Sequence, residues 1–396
     1  MLGIICSNSL NAQSANGWNA NVIVPESSGI GWSDNQTRQC HTRLRVLDVP
    51  QNATPALEAQ FNTPAAIRAL YDLPSTGGTY AIAIVDAYQY PTALADFNTF
   101  SAAFALPAET SKLATLASNK HFQVVYANGA VPQTGGAYIN SWNLEEALDI
   151  EWSHAMAPNA KIYLVEAASA NSSDLYRAVQ VAASLPMVRE VSMSWGGSES
   201  SYETWASDPT FKKNGVVFFA SGGDSADQME YPAASPNVIA CGGTSINRET
   251  NGQVISQTGW NDTGCGPSAY EPRPAFQNAV ASVVGGKRGV SDLAFVADPN
   301  TGVYVYDSTA FEGAKGWWIL GGTSVSAPSL AGIVNLAAGK NGFAASTAVE
   351  EARIYGNLGN PAAYTDITSG TDGIYNAGPG YDFVTGVGTP YSLVGK

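Results

Sequence analysis

Ser324 stands in Gly321-Gly322-Thr323-Ser324-Val325-Ser326-Ala327-Pro328, and the apolar stretch Leu330-Ala331-Gly332-Ile333-Val334-Asn335-Leu336 follows it. Small residues leading into an apolar stretch place this hydroxyl where a loop turns into a helix. Free backbone N–H groups and the positive end of the helix dipole favour a nucleophile there. The same residues also suit an ordinary serine N-cap before a buried helix. A serine nucleophile needs a base, so its partners decide between the two.

A Ser–His–Asp triad is the default expectation, but the three histidines are poorly placed. His41 lies in an irregular N-terminal segment, His121 follows Asn119-Lys120 in a surface-like setting, and His154 lies near a helix end. Carboxylates offer more. Leu144-Glu145-Glu146-Ala147-Leu148-Asp149-Ile150-Glu151 reads as helix, and Glu145 and Asp149, four apart, share a face. Leu144, Leu148 and Trp152 form an adjacent apolar stripe, so the pair borders the buried side. Like charges at this spacing persist when one keeps a proton, which raises the upper apparent pKa of the pair. Such a pair is a general base for acid conditions; the alternative is a solvated acidic helix face. Asp224, in Ser221-Gly222-Gly223-Asp224-Ser225, directly follows an apolar run. A protonated Asp can donate to an oxyanion, although Gly-Gly-Asp-Ser is also good turn chemistry.

The elements that position these residues follow from the apolar pattern. Runs of strand length occur at Tyr80 to Val85, Ile162 to Val165, Val188 to Met193, Val216 to Ala220 and Val238 to Cys241. Helical patterns lie near residues 64–71, 92–105, 142–156 and 173–184. Near-continuous apolar strands alternating with helices predict an α/β fold, a doubly wound parallel sheet with helices on both faces. Ligands bind beyond the carboxyl ends of such strands. Asp86, Trp195 and Asp224 each follow a run, so all three belong on one rim. Residues 245–320 read as loop- and strand-rich, and residues 1–60, rich in Asn, Gln and Ser, as a loosely ordered extension.

Composition narrows the class. The chain has 396 residues, 45% hydrophobic and only 13% charged, with 33 acidic against 19 basic residues and a net charge of −14. That balance argues against nucleic acid, which needs clustered Lys and Arg. A surface with few charges titrates little as pH falls, which suits a secreted protein working in acid. No apolar run reaches transmembrane length, and Met1 to Ala15 lacks the positive n-region of a complete signal peptide. Four cysteines, Cys6, Cys40, Cys241 and Cys265, allow three pairings and show no zinc spacing. A Cys241–Cys265 bridge would close a loop worth roughly 3 kcal/mol. Near the C-terminus Asp366-Ile367 is followed by Gly378-Pro379-Gly380-Tyr381-Asp382. Two carboxylates and glycine-freed carbonyls supply hard oxygen ligands, which favour Ca²⁺ over zinc or copper; a plain Gly-rich turn is the alternative.

Together these motifs resemble the sedolisin family of serine-carboxyl peptidases, from about Thr63 to the C-terminus and in the family's order. The resemblance implies a subtilisin-like fold over residues 61–396, with residues 1–60 an extension or processing remnant. It implies Ser324 as nucleophile, Glu145 as general base, Asp149 as its partner and Asp224 in the oxyanion hole. Ser192-Met193-Ser194-Trp195-Gly196-Gly197 resembles the strand lining the substrate cleft, which implies substrate contacts at Ser194, Trp195 and Gly196. Asp86 stands where some members have a Glu, and is implied to support the triad through Trp195. A structural calcium ion is implied on the side chains of Asp366 and Asp382 and the backbone oxygens of Ile367, Gly378 and Gly380. The implied protein is a secreted, monomeric endopeptidase acting on proteins or peptides in acid. A subtilisin-like neutral peptidase with a histidine base and a non-catalytic protease-like binding protein are the rival readings.

Overall fold

A computed structural model describes residues 22–29, 37–46, 61–226, 228–249 and 251–396. The strands in chain order begin with β1 (Gln39–Cys40), β2 (Arg43–Val46), β3 (Ala81–Ala87), β4 (Phe122–Tyr126), β5 (Lys161–Ala167), β6 (Val188–Met193), β7 (Trp195–Ser198) and β8 (Val217–Ser221). They continue with β9 (Glu230–Tyr231), β10 (Ile239–Arg248), β11 (Val254–Gly259), β12 (Gly266–Pro272), β13 (Lys287–Val290), β14 (Leu293–Val296), β15 (Val303–Phe311) and β16 (Ala314–Gly321).

The central sheet runs β11-β10-β8-β6-β3-β5-β4, with β14 also paired to β10. Its pairs are parallel except β10–β11. The cause is visible in β3, where Ile82 and Ile84 enter one core while Ala81, Ala83 and Val85 enter the other. A strand apolar on both faces is stable only when both faces are covered. Helix α3 (Ala137–Met156) packs against α6 (Thr323–Asn341) on one face. Helix α4 (Ser172–Ala182) covers β3 and β5 from the other. Its buried Leu175, Ala178, Val179 and Ala182 recur at helical spacing, the stripe of an amphipathic surface helix. Helix α3 differs, since every residue from Ser141 to Met156 is buried, acids included.

The segment expected as part of a loose extension is built into this frame. β1 pairs antiparallel with β7, and β2 pairs antiparallel with β16, joining the β15–β16 hairpin as a third strand. Residues His41 and Thr42 bridge these two strands. The hairpin and the paired β12 and β13 account for much of the region read as loop- and strand-rich.

The proposed loop closure at Cys241 and Cys265 is not formed. Cys241 lies buried within β10 with its thiol on the Ile239 carbonyl, while the Cys265 thiol meets the Asp372 carboxylate at 3.1 Å. Cys6 and residues 1–15 lie outside the described residues. Among the described residues no helix is long and apolar enough to cross a membrane.

Candidate active site

Helix α6 begins where the sequence placed it. Gly322, at φ 96°, precedes Thr323, and Ser324 is the second helical residue. A side chain at Gly322 would strike both the His41 carbonyl oxygen and the Asp224 carboxylate, so only glycine lets those groups approach this turn. Pro328 lacks the N–H that would bond the Ser324 carbonyl; the Ser194 hydroxyl oxygen lies 3.4 Å from that oxygen instead. The Ser324 hydroxyl in turn lies 3.4 Å from the Ser194 carbonyl and accepts from the His41 N–H at 3.1 Å.

Helix α3 delivers the carboxyls. Glu145 and Asp149 are fully buried, which excludes a solvated acidic face. The Thr42 hydroxyl donates to Glu145, and Ser324 and Asp149 lie close enough to Glu145 to act on its ionisation, so the three expected residues meet in one buried cluster. Asp149 also accepts from the Ser194 hydroxyl at 2.9 Å. Burial pushes the Glu145 pKa up to about 7, with the Ser324 and Thr42 hydroxyls pulling the other way. Burial, then the charges of Asp86 and Glu145, raise Asp149 well above the carboxylate range. The pair therefore holds protons that a surface pair would lose.

Glu166 and Glu146, beside this pair and Asp86, were not singled out in the sequence reading. Asp86 and Glu166 stand directly opposite each other at the carboxyl ends of β3 and β5. Glu146 is buried too, with Asn143 donating to it at 2.9 Å. Burial, then the charges of Glu145 and Glu166, raise Asp86; burial, then Glu166 and Asp86, raise Glu146; burial takes Glu166 to about 8. Glu166 carried the same signal as Asp86, an acid closing an apolar run. Asp86 does not act through Trp195, whose indole N–H donates to the Val85 carbonyl at 2.7 Å. Its influence on Asp149 is that of a neighbouring charge.

Asp224 follows β8 and turns its carboxyl towards the start of α6. Its Oδ1 accepts from the Thr323 N–H at 2.7 Å and the Thr323 hydroxyl at 2.8 Å. Its Oδ2 makes no hydrogen bond among the described residues and faces the spot above Gly322. Burial raises its pKa, against the pull of Arg43, whose Nε lies 3.8 Å from Oδ2, and of His41. In the same loop the Gly223 N–H donates to the Thr323 hydroxyl at 3.1 Å.

The strand holding Ser194, Trp195 and Gly196 is paired with β1: Cys40 opposes Trp195, Gln39 opposes Gly196, and the His41 N–H donates to the Ser194 carbonyl at 3.2 Å. The His41 ring lies between Ser221 Oγ, 2.5 Å from Nδ1, and Glu230, 2.8 Å from Nε2. Burial disfavours its imidazolium, but Glu230 overrides this and raises the pKa. No histidine ring bonds Ser324 among the described residues. His154 is packed on Phe97 with Nε2 at the Pro107 carbonyl, and burial lowers its pKa to about 3. His41, Thr42 and Arg43, which reach Ser324, Glu145 and Asp224, were missed because their segment carries no core pattern.

At the C-terminal loop Asp366 accepts from the Gly380 N–H at 2.9 Å, and Asp382 from the Gly378 N–H at 3.0 Å. The two carboxyls are close enough for Asp366 to contribute to the raised pKa of Asp382. Two converging acids on a glycine-rich loop fit a hard cation in type. No group of three or more acidic, His or Cys ligands occurs among the described residues, so backbone oxygens would have to complete the shell.

A parallel sheet carrying a helix-borne serine and helix-borne carboxyls at its rim defines a subtilisin-like α/β protein. The chain belongs to the subtilase family, whose sequence pattern matches residues 134–354. It is similar to kumamolisin of Bacillus sp. (strain MN-32), 33% identical over 68% of this chain and 53% of that protein. It is also similar to sedolisin of Pseudomonas sp. (strain 101), 26% identical over 90% of this chain and 64% of that one. The chain thus spans less than two thirds of either relative. The solved Pseudomonas sedolisin, a serine-carboxyl proteinase complexed with two molecules of pseudo-iodotyrostatin, shares the fold with a TM-score of 0.67 at 24% identity, covering 83% of this chain and 95% of that one. A psychrophilic protease, S41, shares it with a TM-score of 0.52 at 21% identity, covering 84% and 98%.

Proposed function

We propose that the protein is an acid-acting serine-carboxyl endopeptidase that hydrolyses peptide bonds in proteins or peptides. The observation that carries this reading is the buried cluster of Ser324, Glu145 and Asp149, with no histidine ring bonded to Ser324. Glu145 takes the Ser324 proton as the hydroxyl attacks the peptide carbonyl. Asp149 holds Glu145 in place, and Asp86 helps keep a proton on Asp149. The Ser324 N–H and protonated Asp224 hold the oxyanion. Glu145 then protonates the leaving amine, and water hydrolyses the acyl-enzyme. Ser194, Trp195 and Gly196 offer a strand edge on which an extended substrate pairs.

The pH dependence follows from the two ends of this machinery. Asp224 donates only while protonated, so rate is lost as pH rises through its raised pKa. Glu145 accepts only when ionised, and its pKa of about 7 belongs to a cleft filled by residues 39–43. Water in an open cleft removes part of the burial cost and lowers that pKa, which moves the working window into acid.

A calcium ion held by Asp366, Asp382 and the carbonyls of Ile367, Gly378 and Gly380 would brace the C-terminal loop. The low charge content supports a secreted protein working in acid. Digestion of a denatured protein between about pH 3 and pH 5 tests the reading. Wild type should digest it and Ser324→Ala should not; equal digestion by both would refute the mechanism.

A further inference from the structure

The slot beside β7 reaches well beyond the residues that touch Ser324. Gln39 and Cys40 pair antiparallel with Gly196 and Trp195, and Arg38 continues in the same direction. The Arg38 N–H turns away from β7 and donates to the Ala170 carbonyl at 2.8 Å, and Thr37 bridges Asn171 in turn. An extended peptide here is therefore gripped on both edges, by β7 and by residues 170–171. Its register is fixed at the other end, where the His41 carbonyl accepts from the Ser324 N–H at 3.2 Å. Arg38 stands three residues before that carbonyl.

The space that the Arg38 side chain enters is built from the body of the fold. The guanidinium carbon lies 5.8 Å from the centre of the Tyr176 ring, on α4, and 6.0 Å from that of Tyr231, on β9. Nη2 donates to the Tyr176 hydroxyl at 2.7 Å. Gly197 of β7 supplies the room, since a side chain there would strike the guanidinium. Phe211 packs 5.8 Å from both tyrosine rings, and the Tyr231 hydroxyl donates to Asp208 at 2.9 Å, so the two rings are held in place. Nε and Nη1 of Arg38 meet no acceptor among the described residues. Ring faces and one hydroxyl, rather than a salt bridge, therefore hold this buried cation. Such walls suit a flat, delocalised guanidinium better than a compact ammonium or an apolar group. Glu230 adds a negative field. Burial opposes its ionisation, but the charge of His41 first and that of Arg38 last hold its pKa below the usual carboxylate range.

We propose that Tyr176 and Tyr231 form a specificity subsite that selects substrates carrying arginine three residues before the residue whose carbonyl Ser324 attacks. This rests on the peptidase reading and on β7 as the edge along which substrate pairs. An external peptide takes the slot in place of residues 37–41. The two backbone edges are indifferent to sequence, and the two rings read one side chain.

The test measures kcat and KM at about pH 4 for peptides that are alike except at this position, which carries Arg, Lys or Ala. The Arg peptide should exceed the Ala peptide in kcat/KM by about tenfold or more, the loss expected for one charged hydrogen bond together with a cation–ring contact. Lys should fall between them. The difference should lie mainly in KM, because the contact is remote from the reacting atoms and is made equally before and during the reaction. Tyr176→Phe keeps the ring and loses the hydroxyl, and should cut the Arg-to-Ala ratio by about threefold or more. Tyr176→Ala should bring the ratio close to one. Equal kcat/KM for the three peptides overturns the subsite and leaves the peptidase reading standing. A preference for Arg that Tyr176→Ala leaves intact overturns the assignment to these rings. Hydrolysis of none of the peptides overturns the peptidase reading as well.

Discussion

Replacing Asp224 by Asn and by Ala separates the donor role of its carboxyl from its role as a cap. Oδ1 holds the Thr323 N–H and hydroxyl at 2.7 and 2.8 Å, while Oδ2 faces the oxyanion position. In Asp224→Asn the amide oxygen can keep the Thr323 contacts, and the amide N–H₂ then points where Oδ2 pointed. That donor does not titrate. Wild type, with a pKa raised by burial, should lose rate as pH rises and Asp224 ionises. The Asn variant should keep kcat within about tenfold of wild type in acid and lose the alkaline limb of its profile. Asp224→Ala should lower kcat by about 10²–10³ at every pH, the usual cost of one oxyanion donor. Steady-state kinetics on a chromogenic peptide across pH would read both. An Asn variant with the wild-type alkaline limb, or an Ala variant with unchanged kcat, would refute the reasoning.

Further outcomes follow from neighbouring groups. Glu145→Gln should abolish most turnover through kcat, with KM nearly unchanged, because the amide cannot take the Ser324 proton; initial rates against substrate concentration check this. Asp307, fully buried near Asp96, has its pKa raised to about 8 by burial. Its folded pKa exceeds the unfolded one, so its stabilisation is present in acid and is lost as pH rises from about 4 to about 8. Asp307→Asn should therefore flatten the fall of Tm over that range in calorimetry; an unchanged slope would assign the pH dependence elsewhere. Chelation with EDTA should lower Tm by about 5 °C if a calcium ion braces the Asp366–Asp382 loop, and Asp382→Asn should remove that sensitivity.

The sequence pattern made the central sheet legible because β3, β5, β8 and the start of β10 are apolar on both faces, whereas β6 is apolar on one. It also placed Ser324 at a helix start, because small residues lead there into an apolar stretch. The acids of α3 were legible in spacing but not in depth: the Leu144, Leu148 and Trp152 stripe suggested one buried face, whereas α6, α2 (Ala93–Ala103) and β15 enclose the helix on others. The segment around His41 was not legible. Gln39, His41, Thr42 and Arg43 are polar, and their place is fixed by backbone pairing with β7 and β16 and by contacts to the site. Cys241 and Cys265 show the same limit, since spacing along the chain does not say where two thiols point.

The central claim is that Ser324 works with carboxyls in acid rather than with a histidine at neutral pH. The most direct measurement is the pH–rate profile on a protein substrate, run beside Ser324→Ala. The account predicts a maximum well below pH 7 and no turnover in the variant. A maximum above about pH 7, or turnover that survives the loss of Ser324, would contradict it.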